Sequence, residues 1–413
     1  MSISSAMYTG LTGLNSNGEA MGVLGDNIAN LSTTGFKYSQ VNFEDLMAQM
    51  VSTGSGPGQE GRGSRISEIT PIFSQGSLET SADDVDVAIT GTGFLIVREP
   101  TAQTVYYTRD GNFSLNKDGY LVNAHGYRVQ GKVMDPATGT ASGTDTDIVI
   151  QQNFSPPATT ANMEMVLNLD ANSAIGDVYS SALAIYDSQG NSHSVNMTFT
   201  RATTGPPDTW SVSGTLDGAD ITAQITDTGG GGPTDMTFNA QGTLTAGGDY
   251  DLDLTGLIAG GDHVRLLMTG TNGGSTTQYA ASSVTNYASQ DGYGPGYLQR
   301  VSINNEGIIT GNYSNGQIIP LYQLTLARFN APTKLHREGS NMYTETQDSG
   351  VPLTGAPGTN GLGKITSNSL EQSNVDLGEQ FVHMIIYQRA FQANSRIITT
   401  SDTLLEEVLS LKR

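Results

Sequence analysis

The stretch SNVDLGEQFVHMIIYQRAFQANSRIITTSDTLLEEVLSLKR, Ser373 to Arg413, decides how the rest of the chain is read. It predicts one long helix. Met384, Phe391, Ile398 and Leu405 recur every seven residues, and Ala390, Ile397, Leu404 and Leu411 form a second row beside them. Phe381 adds an apolar ring near the start. Asp376 and Glu379 stand at the beginning and Lys412 and Arg413 at the end, the charge order a helix dipole favours. From Val375 to Leu411 such a helix would run roughly 55 Å, longer than most globular cores accommodate. Two apolar rows at this spacing need a partner helix. The polar row Gln388, Ser395 and Asp402 leaves another side suited to neighbours or to a wet channel.

The partner is read at the opposite end. Between Ile3 and Leu31, the residues Met7, Leu14, Met21 and Ile28 form a row of the same period, flanked by Leu11, Leu24 and Leu31. Gly10, Gly13, Gly18, Gly22 and Gly25 interrupt this helix, each costing up to about 1 kcal/mol relative to Ala, so docking must stabilise it. Small residues also allow close helix approach. Residues 1–31 and 373–413 are therefore expected to form one terminal helical domain.

Between the ends, the chain reads as β structure. Asp26 to Lys37, DNIANLSTTGFK, is rich in turn formers, and GSGPGQEGRG, Gly54 to Gly63, reads as a flexible extension. Residues 32–82 and 355–372 are expected to form an extended connector. Short apolar runs at Phe94–Val97, Tyr106–Tyr107 and Phe113–Leu115, punctuated by Asp110-Gly111 and Asp118-Gly119, predict hairpins. SLNKDGYL (Ser114 to Leu121) is echoed by SINNEGII (Ser302 to Ile309), so residues 83–144 and 281–354 are read as one inner β domain. Residues 145–280 alternate strictly at Val195, Met197 and Phe199 and at Tyr250, Leu252 and Leu254. That insert holds 15 Asp and Glu against 2 Lys and Arg, which suits an exposed outer β domain. The fold class is multidomain and mainly β, with long coiled-coil-like helices at both termini and nested, discontinuous domains.

Composition narrows the function. Charged residues are 14% of the chain, Gly contributes 51 of 413, and the net charge is −21, so nucleic acid and anionic lipid are repelled. Without Cys there is no disulfide framework and no thiolate chemistry. No apolar run reaches the roughly 18–20 residues of a membrane span. The first basic residue is Lys37, so the basic start of a cleaved secretory signal is missing. Asp249, Asp251 and Asp253 on one strand face invite a calcium reading, against the plainer one of a solvated face, and the full calcium-loop pattern is absent. His125, His193, His263, His336 and His383 are scattered singly, and the Gly-rich runs Gly229–Gly232 and Gly270–Gly274 lack phosphate-loop context and read as hairpin tips. No catalytic, metal or cofactor site is expected, and the chain does not read as an enzyme.

Two terminal motifs carry a family resemblance. GVLGDNIANLSTTGFK, Gly22 to Lys37, and LEQSNVDLGEQFVHMIIYQRAFQAN, Leu370 to Asn394, resemble the signatures of the rod and hook family of axial flagellar proteins. Asp26, Gly378 and Phe391 depart from the commoner residues at their positions. SQDGYGPGYL, Ser289 to Leu298, and YSNGQIIPLYQLTLARF, Tyr313 to Phe329, resemble the hook branch of that family. The resemblance implies a structural subunit that polymerises into the hook, a flexible tubular joint passing torque from rod to filament. It also implies type III export without a cleaved signal, a place outside the cell, and distal rod, hook cap and hook-filament junction proteins as partners. A distal rod or junction protein is the alternative within the family. A β-rich oligomeric surface adhesin is the alternative outside it, although the single Trp210 offers little aromatic platform.

Overall fold

One piece of turn chemistry builds much of the β structure. In NKDG (Asn116–Gly119), NAHG (Asn123–Gly126), DSQG (Asp187–Gly190), NAQG (Asn239–Gly242) and NNEG (Asn304–Gly307), the first side chain accepts backbone N–H bonds through Oδ1. The donors are the residues two and four positions on. The closing glycine has φ between 72° and 84° in all five, the left-handed bend that re-aims the return strand. The echo between SLNKDGYL and SINNEGII is this shared device.

The computed structural model describes the chain except residues 1–2, 54–55, 137, 152–153, 206, 229–234, 262, 271–273 and 411–413. Two helices, α1 (Ile3–Ala29) and α2 (Leu377–Ser410), stand at the ends of a mainly β chain. The chain divides into two compact units, one of residues 1–151, 301–311 and 319–413, the other of residues 152–300 and 312–318.

The helix-bearing unit contains an antiparallel run in which strand Arg128–Met134 pairs with Phe94–Arg98 and with Ile318–Leu324, and Phe94–Arg98 continues to Val105–Thr108 and Met342–Thr344. Phe94, Ile96, Tyr107, Phe329, Leu335 and Tyr343 fill its core, with Phe73 edge-on to Phe94 and Tyr343. The insert unit is two sheets sharing one core. In the first, Asn162–Asn168 lies between His263–Leu267 and Val284–Gln290. In the second, Ser192–Thr203 lies between Val178–Tyr186 and Asp208–Leu216. The alternation read from sequence puts Val195, Met197 and Phe199 inward from one sheet and Tyr250, Leu252 and Leu254 inward from the other. Trp210 is fully buried among them and offers no surface platform.

Two expected boundaries shift. Residues 281–300 and 312–318, expected in the inner β domain, join the insert, the first because Val284–Gln290 pairs with Asn162–Asn168. Residues 145–151, expected in the insert, join the helix-bearing unit, where Asp147 pairs with Gln130 in the ladder and Ile148 and Ile150 are buried. The calcium reading falls as well. Asp249 receives Arg265 at 2.8 Å, Asp251 lies 2.6 Å from His263 Nδ1, and Asp253 accepts the N–H of Thr255, so cross-strand and turn partners take up the row. Among the described residues no group of three or more acidic or His side chains could hold a metal.

His193 gives the insert a pH dependence. Its Nδ1 lies 2.7 Å from Asp217 and its Nε2 3.5 Å from Asp187, and these bonds, Asp217 first, raise the imidazole above its ordinary value. Hydrogen bonds from the Asn191 side chain and neighbouring groups pull Asp187 down to about 2. Folded His193 holds its proton more tightly than the unfolded chain does. Its stabilisation is complete below about pH 6.5 and is lost as pH rises through the folded value. Thermal melting of the insert should therefore be higher at about pH 5.5 than at about pH 8.5, and His193→Gln should remove the difference. Tyr250→Phe is a second check, because the buried Tyr250 hydroxyl has no hydrogen-bond partner among the described residues. Denaturant titration should find that variant unchanged or more stable by up to about 1 kcal/mol.

The terminal helix pair and its buried junction

Helix α2 begins where Asp376 caps it: Oδ1 accepts the N–H of Gly378 at 2.8 Å and of Glu379 at 3.1 Å. The helix thus starts two residues later than Val375, and Leu411, Lys412 and Arg413 lie outside the described residues. The two helices run antiparallel. A Cβ on Gly10 would lie 3.2 Å from Ile398, one on Gly13 would lie 2.6 Å from Asn394, and Asn27 bonds Gln380 at 3.0 Å.

The facing seam differs from the one expected. On α2 it is Gln380, Met384, Tyr387, Phe391, Asn394, Ile398, Ser401 and Leu405, at alternating steps of four and three, all buried or half-buried. One expected row, Met384, Phe391, Ile398 and Leu405, is on it. On α1 the buried line is Gly10, Gly13, Ser16, Ala20, Leu24 and Asn27. Met7, Leu14, Met21, Ile28 and Leu31 are only half-buried and Leu11 is exposed, so of the expected α1 residues Leu24 alone is buried. Small residues hold the centre because they let the backbones approach, which displaces the bulkier row to the flanks. The second α2 row has no cover within one chain: Ala390 is half-buried, while Ile397, Leu404 and Phe381 are exposed together with Val382, Ile385 and Ile386.

The described part of the segment read as a flexible extension, 56–63, belongs to a β-hairpin lying along α1. Ser39–Asp45 pairs with Ser64–Pro71, and Gln49–Thr53 with Gly56–Glu60. Ser5 donates to Glu60 at 2.9 Å, Ser16 and Ser64 share a bond at 3.3 Å, and Phe43 meets the Tyr387 ring on α2. Gly63 permits this close approach, since a Cβ there would collide with Thr12 Oγ1, and its φ is +100°.

Beneath the helix pair, the two terminal motifs converge on buried charge. Lys37 Nζ donates to Glu371 Oε1 at 2.6 Å and to the Ser74 carbonyl at 2.7 Å, with both side chains fully buried. Glu371 Oε1 also accepts Gly76 N–H, and its Oε2 lies 3.4 Å from Arg109, which donates in turn to the Gly91 carbonyl. The Glu371 carbonyl accepts Gly35 N–H. Asn374 accepts Tyr38 N–H and donates to the Ile72 carbonyl at 2.8 Å and to Ser74, while Arg337 reaches the Lys37 carbonyl. Asn27 exchanges bonds with the Ser39 backbone in both directions. Burial pushes Lys37 and Arg109 below their ordinary values, with Glu371 pulling both back up. This cluster is buried, and its groups bond one another and nearby backbone, with Arg109 Nε left without a hydrogen-bond partner among the described residues. It joins elements distant in the chain. Sequence reading missed Lys37, Arg109, Glu371, Asn27, Asn374 and Gln380 as individuals, although all but Arg109 fall inside the two quoted motifs.

Four matched families follow the same division of the chain. Residues 7–37 match the family described as flagella basal body rod protein, and residues 366–411 match flagellar basal body rod FlgEFG protein C-terminal. Residues 88–162 match the flagellar hook protein FlgE/F/G D1 domain, and residues 158–293 the flagellar basal body protein FlaE D2 domain. This defines an axial flagellar protein of the rod and hook class.

Full-length relatives narrow the class. The chain is 34% identical to flagellar hook protein FlgE of Treponema pallidum, over 99% of each chain. It is 34% identical to that of Escherichia coli, over 98% of this chain and all of the other. The chain belongs to the flagellar hook protein family. A crystal structure of Helicobacter pylori flagellar hook protein FlgE2 shares the fold at 16% identity, with a TM-score of 0.51 over 71% of this chain and all of that one.

Glu371→Ala leaves Lys37 and Arg109 buried without their counter-charge and should cost on the order of 3–5 kcal/mol in denaturant titration. Arg65→Ala, at the exposed Arg65–Glu44 pair, should change stability little. Gly63→Ala should expose the 46–63 hairpin to limited proteolysis while leaving the insert resistant.

Proposed function

We propose that this protein is the structural subunit of the flagellar hook, polymerising into a flexible tubular joint that passes torque from rod to filament. The observation that carries the reading is the uncovered apolar face of α2, Ile386, Ile397 and Leu404, on a chain similar to hook proteins along nearly its whole length. An apolar helix face of that extent is stable in water only when another surface covers it. The coiled-coil-like pairs of terminal helices, residues 1–31 and 373–413, pack around the channel. The connector, residues 32–82 and 355–372, links them to the inner β domain, which forms the wall, and the acidic insert faces outward. Met7, Leu11, Leu14, Met21, Leu24 and Ile28 on α1 and Leu31 just after it, with Met384, Phe391, Ile398, Leu405 and Ala390 on α2 and Leu411, outside the described residues, serve assembly within and between copies.

Export through the type III apparatus is what the resemblance to axial flagellar proteins implies. No described helix is long and apolar enough to cross a membrane. Distal rod, hook cap and hook-filament junction proteins are the contacts at the tube ends. No bond-making step is involved.

Electron microscopy of the purified, polymerised protein is the test. Curved tubes are expected, straight tubes would point to a rod protein, and a chain that never polymerises would contradict the reading. Removal of residues 1–25 should leave a soluble, folded monomer that makes no tubes.

A further inference from the structure

A cavity of about 430 Å³ opens on the helix-bearing unit, within the size range of sites that take small organic molecules. Phe73, Phe94, Phe329 and Pro332 form its apolar wall, and Arg109 and Arg328 are its charged members. The rings are set edge-on, Phe73 to Phe94 at 5.2 Å between centroids and Phe94 to Phe329 at 6.0 Å, so the wall is in place before any ligand arrives. Among the described residues, no acid lines the cavity.

Charge is out of balance at this place. Lys37 and Arg109 share the one carboxylate of Glu371, and the shorter contact, 2.6 Å against 3.4 Å, goes to Lys37. Arg109 spends Nη2 on the Gly91 carbonyl, and its Nε is buried with no hydrogen-bond partner among the described residues. The Arg109 guanidinium lies 5.4 Å from the centre of the Phe94 ring, so cation and apolar wall adjoin. The half-buried Arg328 side chain makes neither a hydrogen bond nor an ion pair among the described residues. A Cβ on Gly361 would lie 2.8 Å from Arg328 Nη1, and the Gly361 carbonyl accepts Thr92 Oγ1 at 2.9 Å, which puts this guanidinium at the Thr92 side of the cavity. Lys37, Arg109 and Arg328 thus have Glu371 as their only ion-pair partner among the described residues, on a chain that carries 40 acids against 19 Lys and Arg.

We propose that this cavity binds a small organic carboxylate, with Arg328 as the direct contact to the head group, Arg109 as the positive charge behind it, and the hydrocarbon or aryl body against Phe73, Phe94 and Phe329. A carboxylate matches the guanidinium fork with two parallel hydrogen bonds and supplies the missing negative charge. An inorganic anion would leave the rings unused. A neutral hydrocarbon would leave Arg328 desolvated and unpaired, which costs affinity. The assignment needs no neighbouring copy, so it stands or falls apart from the assembly reading.

Octanoate and phenylbutyrate are the probes, titrated into the full, unpolymerised chain by isothermal calorimetry. One site per chain is expected, with a dissociation constant on the order of 0.1–1 mM and with acetate and octanol each at least about tenfold weaker. Arg328→Gln should weaken octanoate by about tenfold or more while leaving the weaker binding of octanol as it is. Asn330→Trp, which sets a large ring at the exposed rim, should abolish binding of both. Circular dichroism and thermal melting without probe check that both variants fold, and the comparison of octanoate with octanol on the unmodified chain needs no variant at all. Absence of binding by both probes, equal affinity for octanoate and octanol, or octanoate binding retained in the folded variants would each overturn the site.

Discussion

The structure depends on one buried interaction, the ammonium of Lys37 held against the carboxylate of Glu371 and backed by Arg109. Lys37 and Glu371 are 334 residues apart in the chain. Their pairing brings the exit of α1 and the entry of α2 to the same place on the β body. Ion pairs this deeply buried add little net stability over an apolar filling, and their strength lies in what they forbid. A slipped or separated junction would strand two cations and an anion out of water. The same bonds reach the backbones of Gly35, Ser74, Gly76 and Gly91, so the loops around the junction are fixed along with the charges.

Above that junction, stiffness comes from close contact. Gly10 and Gly13 bring α1 against α2, and Gly63 brings the hairpin against the other side of α1. Each of these glycines costs helix or chain propensity and is stabilised by packing that a side chain would prevent. The insert unit is built differently, with its own sandwich core and acidic, cross-paired strand faces. Close helix contact and a polar strand surface are thus built by separate parts of the chain.

Much of this was legible in the sequence. Both helices were, because apolar residues repeating every seven positions fall on one face of a helix but on alternating faces of a strand. The inward alternation of Val195 to Phe199 and Tyr250 to Leu254 was equally plain. The hairpin across Asp118-Gly119 followed from the short apolar runs on either side of it, whereas Asp110-Gly111, read the same way, separates strands that do not pair with each other. The α1 seam was not legible, because a search for apolar rows passes over Gly10, Gly13, Ser16 and Ala20, which bury by being small. The hairpin at 39–71 was hidden by its glycines, whose use is close approach to α1 and not looseness. The charge cluster could not be read at all from local pattern, since Lys37 closes a turn-rich run and Glu371 precedes a helix cap, and nothing in either neighbourhood names the other. The motif resemblance marked both segments without saying that they meet. The domain edges at 145 and 281 missed for a similar reason, since strand partners decide them and strand partners are long-range.

Whether the Lys37–Glu371–Arg109 cluster locks helix pair and β body into one piece can be measured by hydrogen exchange at the backbone amides of Gly35, Tyr38 and Gly76. All three are bonded to Glu371 or Asn374. They should exchange as slowly as the amides of the buried strand Phe94–Arg98, and Glu371→Gln should release all three together. Exchange at the rate of an open loop in the unmodified protein, or release of one amide without the others, would show that the cluster does not hold the two parts together.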